Sequence, residues 1–376
     1  MLIRGIRRAL PAAVAALALS AVPAHAESLR LHPRTLLAHT PAGAQPNAPA
    51  TDPALSGDGR IVRYAAYTSA ATDIVDGSGT FKNIFVVHRR PPFSLLGTPW
   101  VMGDTTLASR GIDGQPADGD SWDPSFDGYD YAHAGHEYTI APRCLAFVSN
   151  ASNLVRGDAN GIADVFVVRL ATGKVTRIAS SGPASAVALD GRCFNVSYVA
   201  GGTVYTKNLR SAGKGHGKVH RLSGIGGASS PAVSANGRVT AYERNGAIYV
   251  NRDGRNRYVA AGCEPSTDDW GRYVAYTRGG QIWQARIDRA AHAGQLTAAI
   301  SRRDGQHLMN GTWPSMTAGG HFVFFVTGNM VDSNVYEKFA SCPVGDAMQV
   351  AGSPHGNYAA YSCTSGALYM SYVGGR

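Results

Sequence analysis

Short apolar runs with period-two alternation recur along the chain, each bounded by turns rich in Gly, Asp or Asn. That pattern predicts strands rather than helices. Two stretches show that the runs are copies of one unit. Residues 65–87 read AAYTSAATDIVDGSGTFKNIFVV, and residues 145–168 read LAFVSNASNLVRGDANGIADVFVV. Each has an aromatic strand end, a Ser-x-Ala step, an aliphatic-Val pair, a polar Gly loop and a closing Phe-Val-Val. A compact version follows in Tyr198–Tyr205, Tyr242–Tyr249 and Tyr276–Trp283, with aromatics seven apart around a glycine turn. Phe325 with Tyr336, and Tyr361 with Tyr369, fit with looser loops. The first aromatics, Tyr67, Phe147, Tyr198, Tyr242, Tyr276, Phe325 and Tyr361, count seven units.

Each unit opens on a turn, as at Asp58-Gly59, Asp190-Gly191 and Asn236-Gly237. These dipeptides predict type I′ hairpins, in which both central residues take positive φ. A short amphipathic run such as Lys174–Ala179 closes the unit, giving four strands, a to d. One such sheet buries too little apolar surface by itself, but copies around an axis cover each other's faces. The expected fold is therefore an all-β propeller of seven four-stranded blades. The last unit ends after strand c, and Arg34–His39 resembles a lone strand d, so an N-terminal strand is expected to complete the last blade. Six blades stay open as a count, because strand d of the sixth unit is hard to see near Ser341–Val344.

The repeated words P-x-x-S-x-D-G-R, V-A-Y/F-x-S and N-x-x-D-V-F/Y-V resemble the TolB-type, WD40-like β-propeller repeat. The resemblance covers nearly everything after the leader. It is clearest in residues 52–87 and 141–179 and degenerate after Gly311. Propellers of that type commonly have six blades, so seven is a departure. The resemblance implies binding and scaffolding more than any single reaction.

Residues 1–26 read as a signal peptide: Arg4, Arg7 and Arg8, an apolar stretch, then Pro23-Ala-His-Ala26 before the cut. A short linker, 27–34, and one propeller domain, 35–376, would follow, with no transmembrane segment after cleavage. The expected location is periplasmic or extracellular. The full chain carries +9, and loss of three leader arginines leaves +6. For an exported protein this charge reads as solubility or attraction to anionic envelope polymers, not specific nucleic-acid recognition. Of five cysteines, Cys342 and Cys363 are nearest in sequence and are the expected disulfide, leaving an odd thiol.

Several loops hold polar groups worth testing. Asp113, Asp118, Asp120 and Asp123 crowd the link between the first two units and could form an acidic binding face. Asp158, Asn160 and Asp164 could offer three oxygens to Ca²⁺, although the spacing is not that of an EF-hand. Asx turns, in which Asp and Asn bond nearby backbone, account for the same residues without a metal. His133, His136 and Glu137 sit in an insertion and could meet a transition metal, against a plain tyrosine-rich loop. Residues 207–221 form a basic Gly-rich hairpin, without the ending of a phosphate loop. No nucleophile elbow, zinc-protease or dinucleotide motif occurs. The expected function is an exported, monomeric, non-catalytic module binding a protein or an envelope polymer. The alternative is a lyase or hydrolase acting on a polymer at the central funnel.

Overall fold

A computed structural model describes residues 32–93, 98–133, 136–178, 182–210, 217–288, 297–299, 309–334 and 340–374, with side chains omitted at 130–138 and 297–299. The chain divides into residues 1–30, which lie outside the described set, and a body from Leu31 to Arg376. The body is a β-propeller of seven four-stranded antiparallel blades. Strands a are Ala50–Leu55, Ser121–Phe126, Ala184–Leu189, Ala228–Val233, Cys263–Thr267, Thr312–Met316 and Ala347–Gly352. Each touches the strand a of the next blade, and the last touches the first, so they ring the axis. Among the described residues no helix is long and apolar enough to cross a membrane.

The seventh blade is assembled from both ends of the chain. Arg34–Leu36 pairs with Leu368–Tyr372 in the register Arg34 to Ser371 and Leu36 to Tyr369. Leu37 and Ala38 are then fully buried, and the Leu37 N–H donates to the Leu368 carbonyl at 2.8 Å.

Strand b is the densest layer, with all six positions buried in Cys144–Ser149 and in Tyr358–Cys363. The seven repeated aromatics all lie on strands b and are buried. Five of them stack or tilt against an aromatic on strand c, with ring centroids 5.5 to 5.9 Å apart. Burying such a ring contributes about 1.5–3 kcal/mol, which explains its recurrence in each copy. The sixth blade breaks the pattern. Phe325 is opposite Asp332 on Met330–Ser333, and Tyr336 lies outside the described residues. Strand d of that blade is only Ala340–Ser341, which is why its signal was faint.

The turns from a to b differ from the hairpins expected. Neither Asp58 nor Asn236 has positive φ; only the following Gly59 (68°) and Gly237 (71°) do, and in the third blade Cys193 carries it instead. These are not type I′ turns, because a buried side chain organises a longer loop. Ser56, Asp127, Asp190, Ser234, Asp268, Thr317 and Ser353 occupy one equivalent site, each at most 2% exposed. Every one accepts a hydrogen bond from the backbone N–H that leads into strand b, from Tyr64, Cys144, Phe194, Val239, Tyr273, Phe322 and Tyr358 respectively. An Asp, Ser or Thr is required there because a buried N–H without an acceptor is costly.

These turns also bond one another in a belt. Gly57 donates to Asp127, Gly128 to Gly191, Gly191 to Ala235, Asn236 to Asp269, Asp269 to Ala318, and Ala318 to Pro354, all backbone to backbone at 2.9–3.2 Å. Pro354 has no N–H, so the belt stops at the junction with the first blade. The approach is close enough to demand glycine. A Cβ on Gly57 would lie 2.3 Å from the Gly128 carbonyl oxygen.

Candidate functional site at the mouth of the channel

Strand a, the innermost layer, has no fully buried run, because one of its faces lines the axis; Ser230–Val233, for example, is partly accessible at every position. Five of the seven strands a carry an x-Pro step: Asp52-Pro53, Asp123-Pro124, Ser230-Pro231, Glu264-Pro265 and Trp313-Pro314. Proline cannot donate to the ladder, and each step coincides with a shift in register against strand b. The residue before each proline has φ between 48° and 55°. This left-handed conformation costs of order 1–3 kcal/mol for a non-glycine residue.

The distortion turns polar groups across the blade boundaries. Asp52 N–H donates to Gln349 Oε1 at 2.8 Å, and Gln349 Nε2 returns a bond to Asp52 Oδ1 at 2.9 Å. Val187 N–H donates to Asp123 Oδ2 at 2.6 Å, and Trp313 N–H donates to Glu264 Oε2 at 2.9 Å. A second row lies one step beyond the proline: Ser125, Ser266 and Ser315 each accept from the next blade, from Leu189, Met316 and Gly352 at 2.9–3.0 Å. These bonds bridge four of the seven blade junctions: seventh to first, second to third, fifth to sixth and sixth to seventh.

Two apolar side chains on this ring remain in solvent. Trp313 is 43% exposed and Met348, near the start of the adjacent strand a, is 40% exposed. Beside them the lining is acidic, with Asp52, Asp123 and Glu264. Asp123 is pushed up to about 7, first by burial and then by the charge of Asp52, against the Val187 N–H that favours its ionised form. The Cys263 thiol, on strand a of the fifth blade, is pushed up to about 11 by burial and by Glu264 and Glu243. At neutral pH it is protonated and a poor nucleophile.

The raised Asp123 carboxyl makes stability pH-dependent. Its folded value lies above the unfolded 3.8, so the folded state holds the proton more tightly, and stability falls as pH rises from about 4 to about 7. Asp123→Asn keeps an oxygen for the Val187 N–H and removes the charge. The variant is expected to match the native protein at pH 4 and to melt higher at pH 8, with a ceiling of about 4 kcal/mol that channel water reduces. Parallel melting curves across that range would refute it.

The other candidate residues are not gathered at this ring. Asp118 lies on the linker into the second blade and accepts from Ser152 N–H at 2.7 Å and Ser152 Oγ at 2.6 Å. Burial raises its pKa, but those bonds and one from Asn153 outweigh it and hold the carboxyl below its ordinary value. Asn47 clamps Thr72 and Asp73 in the first blade in the same way, so this is a repeated structural device. Asp120 accepts from the Lys82 N–H at 2.9 Å, and Asp113 sits in a short 3₁₀ turn with φ 60°. Of the four expected as an acidic face, only Asp123 lines the channel.

The three residues considered for Ca²⁺ have internal partners. Arg177 bonds Asp158 and lies 3.6 Å from Asp164, while Asn160 Nδ2 donates to Asp164 Oδ2 at 2.7 Å. A second cation would be repelled while the guanidinium stays in place. His133 and His136 are opposite each other in the hairpin Tyr129–His133 and His136–Ile140, but their side chains and that of Glu137 lie outside the described residues. Cys342 and Cys363 are bonded, and so are Cys144 and Cys193, a pair the sequence did not suggest. Asp127 lies near the latter pair, but disulfide sulfurs cannot act as thiolate ligands.

No family model matches this chain, and no curated protein matches it.

Proposed function

We propose that this is an exported, non-catalytic binding module of the TolB-type kind, which engages a protein or an envelope polymer at the mouth of its channel. Trp313 carries the reading: a bulky aromatic on the innermost strand, in a costly left-handed conformation and open to solvent. Strained, exposed positions of this kind concentrate at binding sites. The acidic side chains around the ring favour a ligand with cationic or hydroxyl groups, and aromatic faces suit both. The leader-like N-terminus and the repeat words support export and kinship respectively.

A photoreactive phenylalanine analogue at position 313 is expected to cross-link a partner in the native envelope. The same probe at position 219, on the exposed strand d of the third blade, serves as the control. Equal labelling from both positions, or none from 313, removes the reading.

A lyase or hydrolase is the second reading, favoured by one observation: a carboxyl near pKa 7 beside the ionisable Asp52. It requires turnover of a polymer that Asp123→Asn abolishes.

A further inference from the structure

Away from the channel, a cavity of about 510 Å³ opens between the fourth and fifth blades. It is built on the hairpin joining Ala247–Arg252 to Arg255–Ala261, and its wall includes Arg252, Arg255, Arg257, Asn256, Asp253 and Asp288. In the antiparallel register Arg252 is directly opposite Arg255, and Val250 is opposite Arg257. Opposed residues share a face, and so do residues two apart along a strand. Three guanidinium groups therefore stand on one face of one hairpin.

Like charges directly across a ladder are destabilising, so this arrangement needs compensation. The protein supplies only part of it. Asp288 is held by Arg286 through two bonds at 2.7 and 3.1 Å, and Asp253 is exposed at the hairpin turn. Counting Arg252, Arg255, Arg257 and Arg286 against Asp253 and Asp288 leaves two positive charges. Arg252 donates to the Gly271 carbonyl, and Arg257 donates to the Ile287 carbonyl at 3.0 Å, so both side chains are anchored. The Arg252 Nε is buried and has no acceptor in the protein. That buried donor adds to the cost of holding the arginine cluster together, while the exposed Arg255 and the cavity-facing parts of Arg252 and Arg257 are what an anion would meet.

We propose that this cavity binds a tetrahedral oxyanion, with phosphate as the type ligand. Planar guanidinium groups bind phosphate oxygens in pairs, and the two anchored ones, Arg252 and Arg257, lose little freedom on doing so. The oxyanion could be free in solution or part of a phosphodiester polymer, and a single experiment separates the two.

Titration calorimetry at fixed ionic strength would compare inorganic phosphate, sulfate and a glycerol-phosphate oligomer on the native protein, Arg255→Glu, Arg252→Met and Arg221→Glu. Arg221 is exposed on strand d of the third blade and makes the same charge change outside the cavity. Saturable binding of phosphate or sulfate, weakened at least about tenfold in both cavity variants and kept in Arg221→Glu, is expected. Tighter binding of the oligomer assigns the site to a polymer, and tighter binding of the free ion assigns it to the small anion. Absence of saturable binding by all three ligands overturns the proposal. So does equal loss in Arg221→Glu, which would mean diffuse attraction. Because Arg252 is anchored, its variant is read only if its melting curve stays cooperative; Arg255→Glu, at an exposed position, carries the test if it does not.

Discussion

Removing residues 27–38 is expected to lower the melting midpoint by about 10 °C or more and to make the protein self-associate. The deletion takes away the strand Arg34–Leu36 that completes the seventh blade, together with the fully buried Leu37 and Ala38. It uncovers Leu368 and Met370, both at most 1% exposed, and leaves the ladder groups of Leu368–Tyr372 without partners. An unpaired edge with apolar neighbours is a template for pairing with another chain. The junction is already the weakest in the turn belt, because Pro354 donates nothing to the first blade. A milder version is Leu37→Ala, expected to cost about 3 kcal/mol. Calorimetry with size-exclusion chromatography reads both effects. A truncated protein that stays monomeric and melts within about 1 °C of the intact one would show that the ring is held elsewhere.

The sequence revealed this closure for a physical reason. Copies of one unit must satisfy the same local demands, so the buried aromatics from Tyr67 to Tyr361 recur at the same place and can be counted. The missing fourth strand at the end and the spare strand at the start then imply each other. What the pattern hid was contact between units. Cys144 and Cys193 are 49 residues apart, on a strand b and in the turn of the next blade, and only the ring brings them together. Arg177 stands across a hairpin from Asp158, so the loop looked like an open oxygen cluster when it was already neutralised. The type I′ reading failed because Asp and Ser in the turns bond the backbone inward, a demand set by burial and invisible in a dipeptide. The channel mouth was more legible than it was read to be. Five x-Pro steps at equivalent positions mark strands that cannot complete their ladder, and such strands belong at an edge or on an axis. Trp313 among those steps was the signal for the site.

The two disulfides are expected to contribute unequally, in the order of the loops they close. Each joins neighbouring blades: Cys144 in the second to Cys193 in the third, and Cys342 at the end of the sixth to Cys363 in the seventh. The chain-entropy relation gives about 4 kcal/mol for a separation of 49 residues and about 3 kcal/mol for one of 21. Cys144→Ser with Cys193→Ser should therefore cost more than Cys342→Ser with Cys363→Ser. Context adds to the difference. Cys144 is fully buried, and its N–H is held by Asp127, whose carboxyl burial pushes up to about 7. Two buried hydroxyls beside that carboxyl must find partners or remain unsatisfied. The fifth cysteine supplies the control: Cys263→Ser touches no disulfide and should leave the denaturation midpoint within about 0.5 kcal/mol of the native value. Denaturant titration of the three variants under oxidising conditions ranks them. If the Cys342–Cys363 pair proves the costlier loss, loop length is not what sets these contributions, and the short strand d of the sixth blade, next to Cys342, becomes the element that this bond holds in place.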